Sequence, residues 1–133
     1  MKELGCVMDF GVKTFCEVFE IVLPLPVNWN KYIQLERGSK FGAASLKKKE
    51  KKQITDLCSG KKYEGGFPCQ INVLACFKNK RSDLDNLRIK GVLDGLVSAG
   101  VIPDDSLNYV SRIVFESVVT DSDGLVLTIS KAL

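Results

Sequence analysis

The sequence predicts a single α+β domain in which helices pack on a mixed sheet. At 133 residues the chain fits one domain, and no repeat or linker divides it. Segments with the apolar pattern of strands alternate with two segments of helical period. The predicted order is strand, helix, strand, helix, strand, strand, which favours a mixed sheet. The 45% hydrophobic and 26% charged residues are typical of a soluble globular protein.

The first half of the chain supplies one strand, one long loop and one helix. Residues 1–14 are predicted to be a peripheral N-terminal segment, and residues 15–133 the domain itself. Apolar and charged residues alternate from Phe15 to Leu23, which predicts a strand. The Pro-, Asn- and Lys-rich stretch 24–42 predicts a long loop. Residues 43–58 have helical spacing with an outer face of lysines.

The second half is predicted to contain three strands and one helix. Residues 68–77 are mostly apolar and predict a strand buried in the sheet. Residues 86–99 predict a helix, with Gly100 at its C-terminal cap. Two further strands, at residues 108–119 and 125–130, complete the domain. Residues 121–124 between them predict a hairpin turn.

The composition excludes several kinds of chemistry. The chain has no histidine, which rules out Ser-His and Cys-His catalysis, histidine-metal nucleases and zinc deaminases. Its five cysteines are odd in number and form no Cys-x-x-Cys pair, so we expect reduced thiols in a cytosolic protein rather than a disulfide framework or a zinc site. No segment has the pattern of an export signal or is long and apolar enough to span a bilayer.

Charge is divided unevenly along the chain. Residues 1–82 hold 15 Lys and Arg against 8 Asp and Glu, a net charge of +7, whereas residues 83–133 hold 4 against 8, a net charge of −4. A basic docking surface beside an acidic metal pocket is typical of nucleic-acid enzymes. An uneven surface charge without function is the alternative.

Five of the nine aspartates fall within residues 81–105. Asp83 and Asp85 lie one residue apart, so in extended backbone both point to the same side, roughly 6–7 Å apart at Cα. Asp104 and Asp105 follow from the far end of a helix about 20 Å long. Clustered carboxylates favour a divalent cation such as Mg²⁺, which can activate water without histidine. Either the returning loop folds back beside the helix, or another element must bring the two pairs together.

Lys90 is the cation placed among these carboxylates. It lies four residues before Asp94, one helical turn away, and could stabilise charge on a phosphate undergoing cleavage. Each part also has an ordinary structural explanation: a helix N-cap at residues 83–86, an exposed Lys90–Asp94 ion pair, and a solvated turn at residues 103–106. Their coincidence within one short window favours a site.

These motifs resemble the RusA family of Holliday junction resolvases of phages and prophages. The residues that carry the resemblance are Asp83-Leu-Asp85-Asn86, Lys90, Asp94-Gly95-Leu96 and Ala99-Gly-Val-Ile-Pro-Asp104-Asp105. The upstream segment Leu23-Pro-Leu-Pro-Val-Asn-Trp-Asn-Lys-Tyr32 is similar to the family's N-terminal motif, and the resemblance covers roughly residues 15–131.

The resemblance implies a homodimeric, Mg²⁺-dependent endodeoxyribonuclease that makes paired symmetric nicks in four-way DNA junctions during recombination and repair, with Mn²⁺ able to substitute. It implies that Asp83, Asp85 and Asp105 are metal ligands, with Asp104 beside them, and that Lys90 is the catalytic lysine. Three residues separate Asn86 from Lys90 where the familiar motif has two, so Arg88 is a second candidate for the cationic role. A phage-encoded enzyme of this kind would act in the bacterial cytoplasm.

Two other functions remain open at this point: a non-catalytic junction-binding protein on the same fold, and a small protein-interaction module. The expected DNA-binding residues are Asn30, Lys31, Arg37, Lys40, Lys47, Lys48, Lys51, Lys52, Lys78, Lys80, Arg81 and Arg88. Trp29 and Tyr32 could stack on an exposed junction base, or simply pack in the fold. Gly91 and Gly95, four apart in the second helix, predict close approach of another helix or of DNA, and so a dimer interface on that face.

Overall fold

The computed structural model describes residues 9–15, 17–38, 40–80 and 82–133, and at Phe15 and Lys40 it describes the backbone alone. The described chain is α+β, as predicted. Its strands are β1 Gly11–Phe15, β2 Val18–Leu23, β3 Cys69–Phe77, β4 Val110–Val119 and β5 Gly124–Lys131. Its helices are α1 Trp29–Gly38, α2 Lys40–Cys58 and α3 Lys90–Ser98, with a short 3₁₀ turn at Leu84–Asn86. None of the described helices is long and apolar enough to cross a membrane.

The five described strands form one mixed sheet in the order β1-β2-β5-β3-β4. β3 and β4 are parallel, and the other neighbouring pairs are antiparallel. The parallel pair is joined by the segment that contains the 3₁₀ turn and α3, because parallel neighbours need a crossover connection. The C-terminal end of β3 and the N-terminal end of β4 therefore lie at opposite ends of this parallel pair.

The core lies on one face of the sheet. Side chains alternate between the two faces of a strand, so paired residues in register form rows across β2, β5 and β3. Three such rows are buried: Phe19–Ile129–Ile71, Ile21–Leu127–Val73 and Leu23–Leu125–Ala75. Ile54 of α2 and Leu96 of α3 belong to the same buried cluster.

Two glycines of α3 allow α2 to approach closely. A Cβ at Gly95 would overlap Ile54 Cδ1, and a Cβ at Gly91 would lie 2.8 Å from Arg88 Nη1 and 2.9 Å from Glu50 Oε1. The close approach predicted from the sequence is therefore confirmed, but the neighbour is α2 of the same chain. Because α2 of the same chain accounts for both buried glycines, they give no support to the prediction of a dimer interface at or near this face.

The predicted loop over residues 24–42 is also wrong, because α1 and the start of α2 occupy most of it. Asn28 caps the start of α1: its Oδ1 accepts a hydrogen bond from Lys31 N at 2.9 Å, which satisfies a backbone donor of the first turn. The helix is then fixed by burial of Tyr32, which is only 6% exposed.

Of the two boundaries of the helix after the acidic motif, the start differs from the prediction and the end agrees with it. The helix predicted from residue 86 begins at Lys90, and the residues before it form the 3₁₀ turn followed by Leu87 in extended conformation. At its other end the Gly100 cap is confirmed, with a positive φ of 78° and a bond from Val101 N to Leu96 O at 3.0 Å.

The connection between β4 and β5 is not a hairpin, because β3 lies between these strands. Thr120 N donates to Phe77 O at 2.8 Å, and Lys78 N donates to Asp123 Oδ1 at 2.8 Å. The segment 120–123 therefore passes over the C-terminal end of β3 and is hydrogen-bonded to it.

The strand predicted over Phe15–Leu23 is shorter and has a partner that the sequence analysis missed. β2 begins at Val18, and β1 pairs with it at the edge of the sheet. Residues 11–14 of the predicted peripheral segment thus belong to a strand, while residues 1–8 lie outside the described residues.

Candidate functional site

Asp83 and Asp85 lie on the connection between β3 and α3, and both are exposed. Asp83 stands directly before the 3₁₀ turn in extended conformation, with φ −102° and ψ 124°, and its side chain does not cap the turn. Its carbonyl oxygen accepts a hydrogen bond from Asn86 N at 3.2 Å. The backbone thus closes the turn without either carboxylate, so helix capping does not account for Asp83.

Asn86 joins this connection to the start of α1. Its Oδ1 accepts a hydrogen bond from Asn30 N at 3.2 Å, and Leu87 next to it is buried in the core. The two segments that carry the family resemblance, 23–32 and 83–86, are therefore in direct contact although more than 50 residues separate them.

Lys90 is the first residue of α3. Its Nζ lies 3.6 Å from Asp94 Oδ1, and the two side chains are 68% and 35% exposed. An ion pair this exposed contributes only a few tenths of a kcal/mol to folding. The ammonium group is therefore held weakly and can turn toward a bound phosphate at little cost.

Asp104 and Asp105 follow α3 and are exposed in the turn before β4. Asp104 Oδ1 accepts a hydrogen bond from Asp105 N at 2.9 Å, so Asp104 shapes the turn. Asp105 is the residue of this pair that the resemblance implies as a metal ligand.

One chain does not bring the two aspartate pairs together. Asp83 follows the C-terminal end of β3, whereas Asp105 precedes the N-terminal end of the parallel β4, and α3, about 13 Å long, lies between them. Within the described ranges no three His, Cys, Asp or Glu side chains are close enough to hold a metal ion. Of the two routes left open by the sequence, folding back of the loop is therefore not the one this chain takes.

Arg88 is not the DNA-contacting or catalytic cation considered in the sequence analysis. It is 2% exposed, and its guanidinium forms an ion pair with Glu50 of α2. Its Nε donates to Val27 O at 3.0 Å, and its Cζ lies 4.6 Å from the centre of the Tyr32 ring. Arg88 thus joins α1 and α2 to the segment between the 3₁₀ turn and α3, next to the candidate site.

Glu50 is a residue that the sequence analysis missed. It is the one acid in a run of lysines on α2, and its spacing from Ile54 and Cys58 places it on the inward face. A single acid on the buried side of a basic helix is the signal that could have indicated a buried cationic partner.

The expected DNA-binding cations lie on several surfaces. Exposed positions on α1, on α2 and after β3 are occupied by Lys31, Arg37, Lys47, Lys48, Lys51, Lys52, Lys78 and Lys80. Lys52 forms an ion pair with Asp56, with Nζ 3.0 Å from Oδ2. The pKa of Lys47 is raised by a hydrogen bond with the Tyr32 side chain. Asn30 is exposed and uses its backbone N–H to bind Asn86. Arg81 and the side chain of Lys40 lie outside the described residues.

Exposed aspartates on one connection, beside a helical surface of exposed lysines, are typical of proteins that act on nucleic acid. Comparison with known proteins is more specific. Residues 20–130 match the family model described as Endodeoxyribonuclease RusA. A relative from Enterobacteria phage HK97, Crossover junction endodeoxyribonuclease rusA, is 32% identical over 90 residues, which cover 65% of this chain and 73% of the relative.

The chain therefore belongs to the RusA family of endodeoxyribonucleases, and the resemblance drawn from its motifs is confirmed. Nucleases of this family depend on metal ions. The oxygen ligands of Asp83, Asp85 and Asp105 have the chemistry that hard divalent cations prefer, although one chain presents them as two separate groups.

Proposed function

We propose that this protein is a Mg²⁺-dependent enzyme that resolves Holliday junctions and other branched DNA by paired symmetric nicks. Mn²⁺ would substitute for Mg²⁺, and recombination and repair would be the setting. The observation that carries the proposal is the pair of exposed aspartates on the β3–α3 connection, tied by Asn86 to the second family motif on α1. The printed name of the phage relative supports a crossover junction as the substrate, and its source supports a phage-encoded enzyme of the bacterial cytoplasm.

The arrangement of the aspartates supports a homodimer. Asp83 and Asp85 follow the C-terminal end of β3 and Asp105 precedes the N-terminal end of the parallel β4, so a second chain would supply the missing ligand. Leu107, two residues after Asp105, is 84% exposed, and β4 beside it is the outermost strand of the sheet. In a two-fold dimer the exchange is reciprocal, which creates two equal sites for two like strands.

Each residue has a distinct part in this proposal. Asp83 and Asp85 of one chain and Asp105 of the other would hold the cation, with Asp104 ordering the turn. A bound divalent cation would activate water and neutralise charge at the scissile phosphate. Lys90 would leave Asp94 and stabilise the negative charge that develops on the phosphate or on the leaving oxygen. The exposed lysines of α2 and those after β3 would bind phosphates farther along the DNA arms.

The experiment is cleavage of a synthetic four-way junction in Mg²⁺ and in Mn²⁺. The wild type is expected to cut, and Asp85→Asn is expected to bind the junction at least as tightly without cutting, because it removes a negative charge that faces phosphate. Asp121→Asn makes the same change at an exposed turn outside the motif and should cut normally.

A wild-type protein that binds junctions but cuts in neither metal would favour the alternative, a non-catalytic junction-binding protein. A protein that prefers linear duplex to four-way DNA would contradict both functions.

A further inference from the structure

A pocket of about 210 Å³ opens between α1, α2 and α3, next to the connection that carries Asp85. Its walls and rim include Trp29, Tyr32, Lys47, Lys51, Lys90 and Asp94. The pocket shares Lys90 with the candidate catalytic site. A hydrogen bond also connects the two: the backbone N–H of Asn30, next to Trp29, donates to Oδ1 of Asn86, next to Asp85.

Trp29 forms an aromatic wall of the pocket. Its ring meets the Tyr32 ring edge to face, with centroids 6.0 Å apart and planes at 85°. Tyr32 is buried and lies beneath two cations, Arg88 at 4.6 Å and Lys47 at 5.6 Å from its centre. Tyr32 therefore positions Trp29, and Trp29, which is partly exposed, is the ring that a ligand can reach.

Gly91 and the Arg88–Glu50 ion pair also line the pocket. A Cβ at Gly91 would lie 2.8 Å from Arg88 Nη1 and 2.9 Å from Glu50 Oε1, so glycine lets this ion pair pack directly against the backbone of α3. Because the pair joins α2 to the segment before α3, this side of the pocket is held in place before any ligand binds. The pocket is therefore preformed, with Trp29 as its aromatic side.

The rim is positively charged. Lys47 and Lys51 are one turn apart on α2, and Lys90 faces them from α3. Among the side chains that line the pocket, Lys47, Lys51, Arg88 and Lys90 are cationic, while Glu50 and Asp94 are anionic, which leaves two net positive charges. Aromatic stacking inside and cations at the mouth are the combination that binds single-stranded nucleic acid.

We infer that this pocket receives one unpaired nucleobase of the DNA substrate, stacked on Trp29, while the flanking phosphates contact Lys47, Lys51 and Lys90. This inference rests on the proposed function and adds a source of structural selectivity to it. A base at the centre of a branch can enter at low cost, whereas a base in continuous duplex must first be unstacked and unpaired, which costs a few kcal/mol. The pocket would thus favour cutting next to a branch.

The chain contains one tryptophan, so its fluorescence reports on the pocket directly. The uncut complex is formed with full-length Asp85→Asn protein and either a four-way junction, with a fluorescent adenine analogue at the branch, or a linear duplex of the same sequence. Junction binding is expected to quench Trp29 and to change the emission of the analogue. Binding to the duplex is expected to leave both signals unchanged.

Variants separate stacking from general attraction to DNA. Trp29→Leu is expected to weaken junction binding by about tenfold or more and duplex binding little, whereas Trp29→Phe retains most of the affinity because it keeps a ring. Lys51→Ala should weaken binding to the junction more than to the duplex. Its neighbour Lys52, which pairs with Asp56 outside the pocket, provides the matched control: Lys52→Ala should affect both DNAs by the same factor.

The inference is overturned if the junction binds, as measured by anisotropy, without changing Trp29 emission, or if Trp29→Leu weakens junction and duplex equally. Junction cleavage by the wild type with no tryptophan response would leave the proposed function intact and refute base binding in the pocket. A tryptophan response in a protein that never cuts would support base binding and refute the proposed nuclease activity. Absence of junction binding would refute both.

Discussion

Mixing two variants that are each expected to be inactive tests whether the proposed metal site is shared between two chains. One chain carries Asp83→Asn and Asp85→Asn, and the other carries Asp105→Asn. Neither homodimer has an intact ligand set. If the ligands come from both chains, a mixed dimer restores one complete site, because one chain supplies its intact Asp83 and Asp85 and the other its intact Asp105.

The expected activity follows from this geometry. Random reassociation makes about half of the dimers mixed, and each mixed dimer has one intact site of two, so the mixture regains about a quarter of the wild-type sites. On a supercoiled plasmid with an extruded cruciform, these isolated sites should produce nicked circles and no linear product, because paired incision needs two intact sites. The wild type should produce linear DNA.

The control is Asp104→Asn, which keeps the Oδ1 atom that accepts the Asp105 N–H bond and should retain more activity than Asp105→Asn. Subunit exchange is verified by native mass spectrometry of chains that differ in tag. If mixed dimers form and no nicking returns, the ligands do not come from two chains, and the reasoning from the opposite ends of β3 and β4 fails.

Three further predictions concern the scaffold. Arg88→Leu leaves the largely shielded Glu50 carboxylate without its cation and should lower the free energy of unfolding by about 3–5 kcal/mol. The double variant Arg88→Leu with Glu50→Leu should lose less. Urea denaturation measures both variants, and equal losses would refute the coupling. Gly95→Ala overfills the α2–α3 contact and should lower the free energy of unfolding by about 1–3 kcal/mol. Adding Ile54→Val, which removes Cδ1, should recover part of this loss. Thermal unfolding measures both variants, and no recovery would contradict the proposed steric overlap. Burial raises the pKa of the Cys58 thiol from 9.0 to about 11. Between these values the unfolded chain ionises and the folded one does not, so stability should fall by roughly 2–3 kcal/mol as pH rises from 9 to 11, and Cys58→Val should reduce that fall.

Local sequence was sufficient to predict β3, α2 and the C-terminal cap of α3. The apolar run 68–77 indicated a strand buried in the sheet, and β3 has β5 and β4 on either side. The helical spacing of residues 43–58 indicated α2 within three residues of its start, and Gly100 indicated the end of α3. Each of these features is determined by side-chain period or by the left-handed conformation that glycine accepts.

Elements whose stability comes from distant contacts were not predictable in this way. The segment 24–42 has loop-like composition, yet α1 forms within it because Tyr32 packs under Arg88, which is more than 50 residues away. The turn at residues 121–124 has the composition of a hairpin, but strand order depends on which edge of β3 each strand joins. Pairing across the sheet is non-local, so the turn does not indicate it.

The sequence by itself determined the chemistry of this protein: a chain without histidine that carries its carboxylates in the Asp83–Asn86 and Asp104–Asp105 motifs of a nuclease family, together with a lysine-rich helix. Residue identity limits which atoms can bind a cation or a phosphate, and that limit does not depend on folding. Only the tertiary structure decided which of these atoms are available and where they lie. Burial removed Arg88 from the candidate DNA contacts, and the parallel pairing of β3 with β4 placed the two aspartate motifs at opposite ends of these strands.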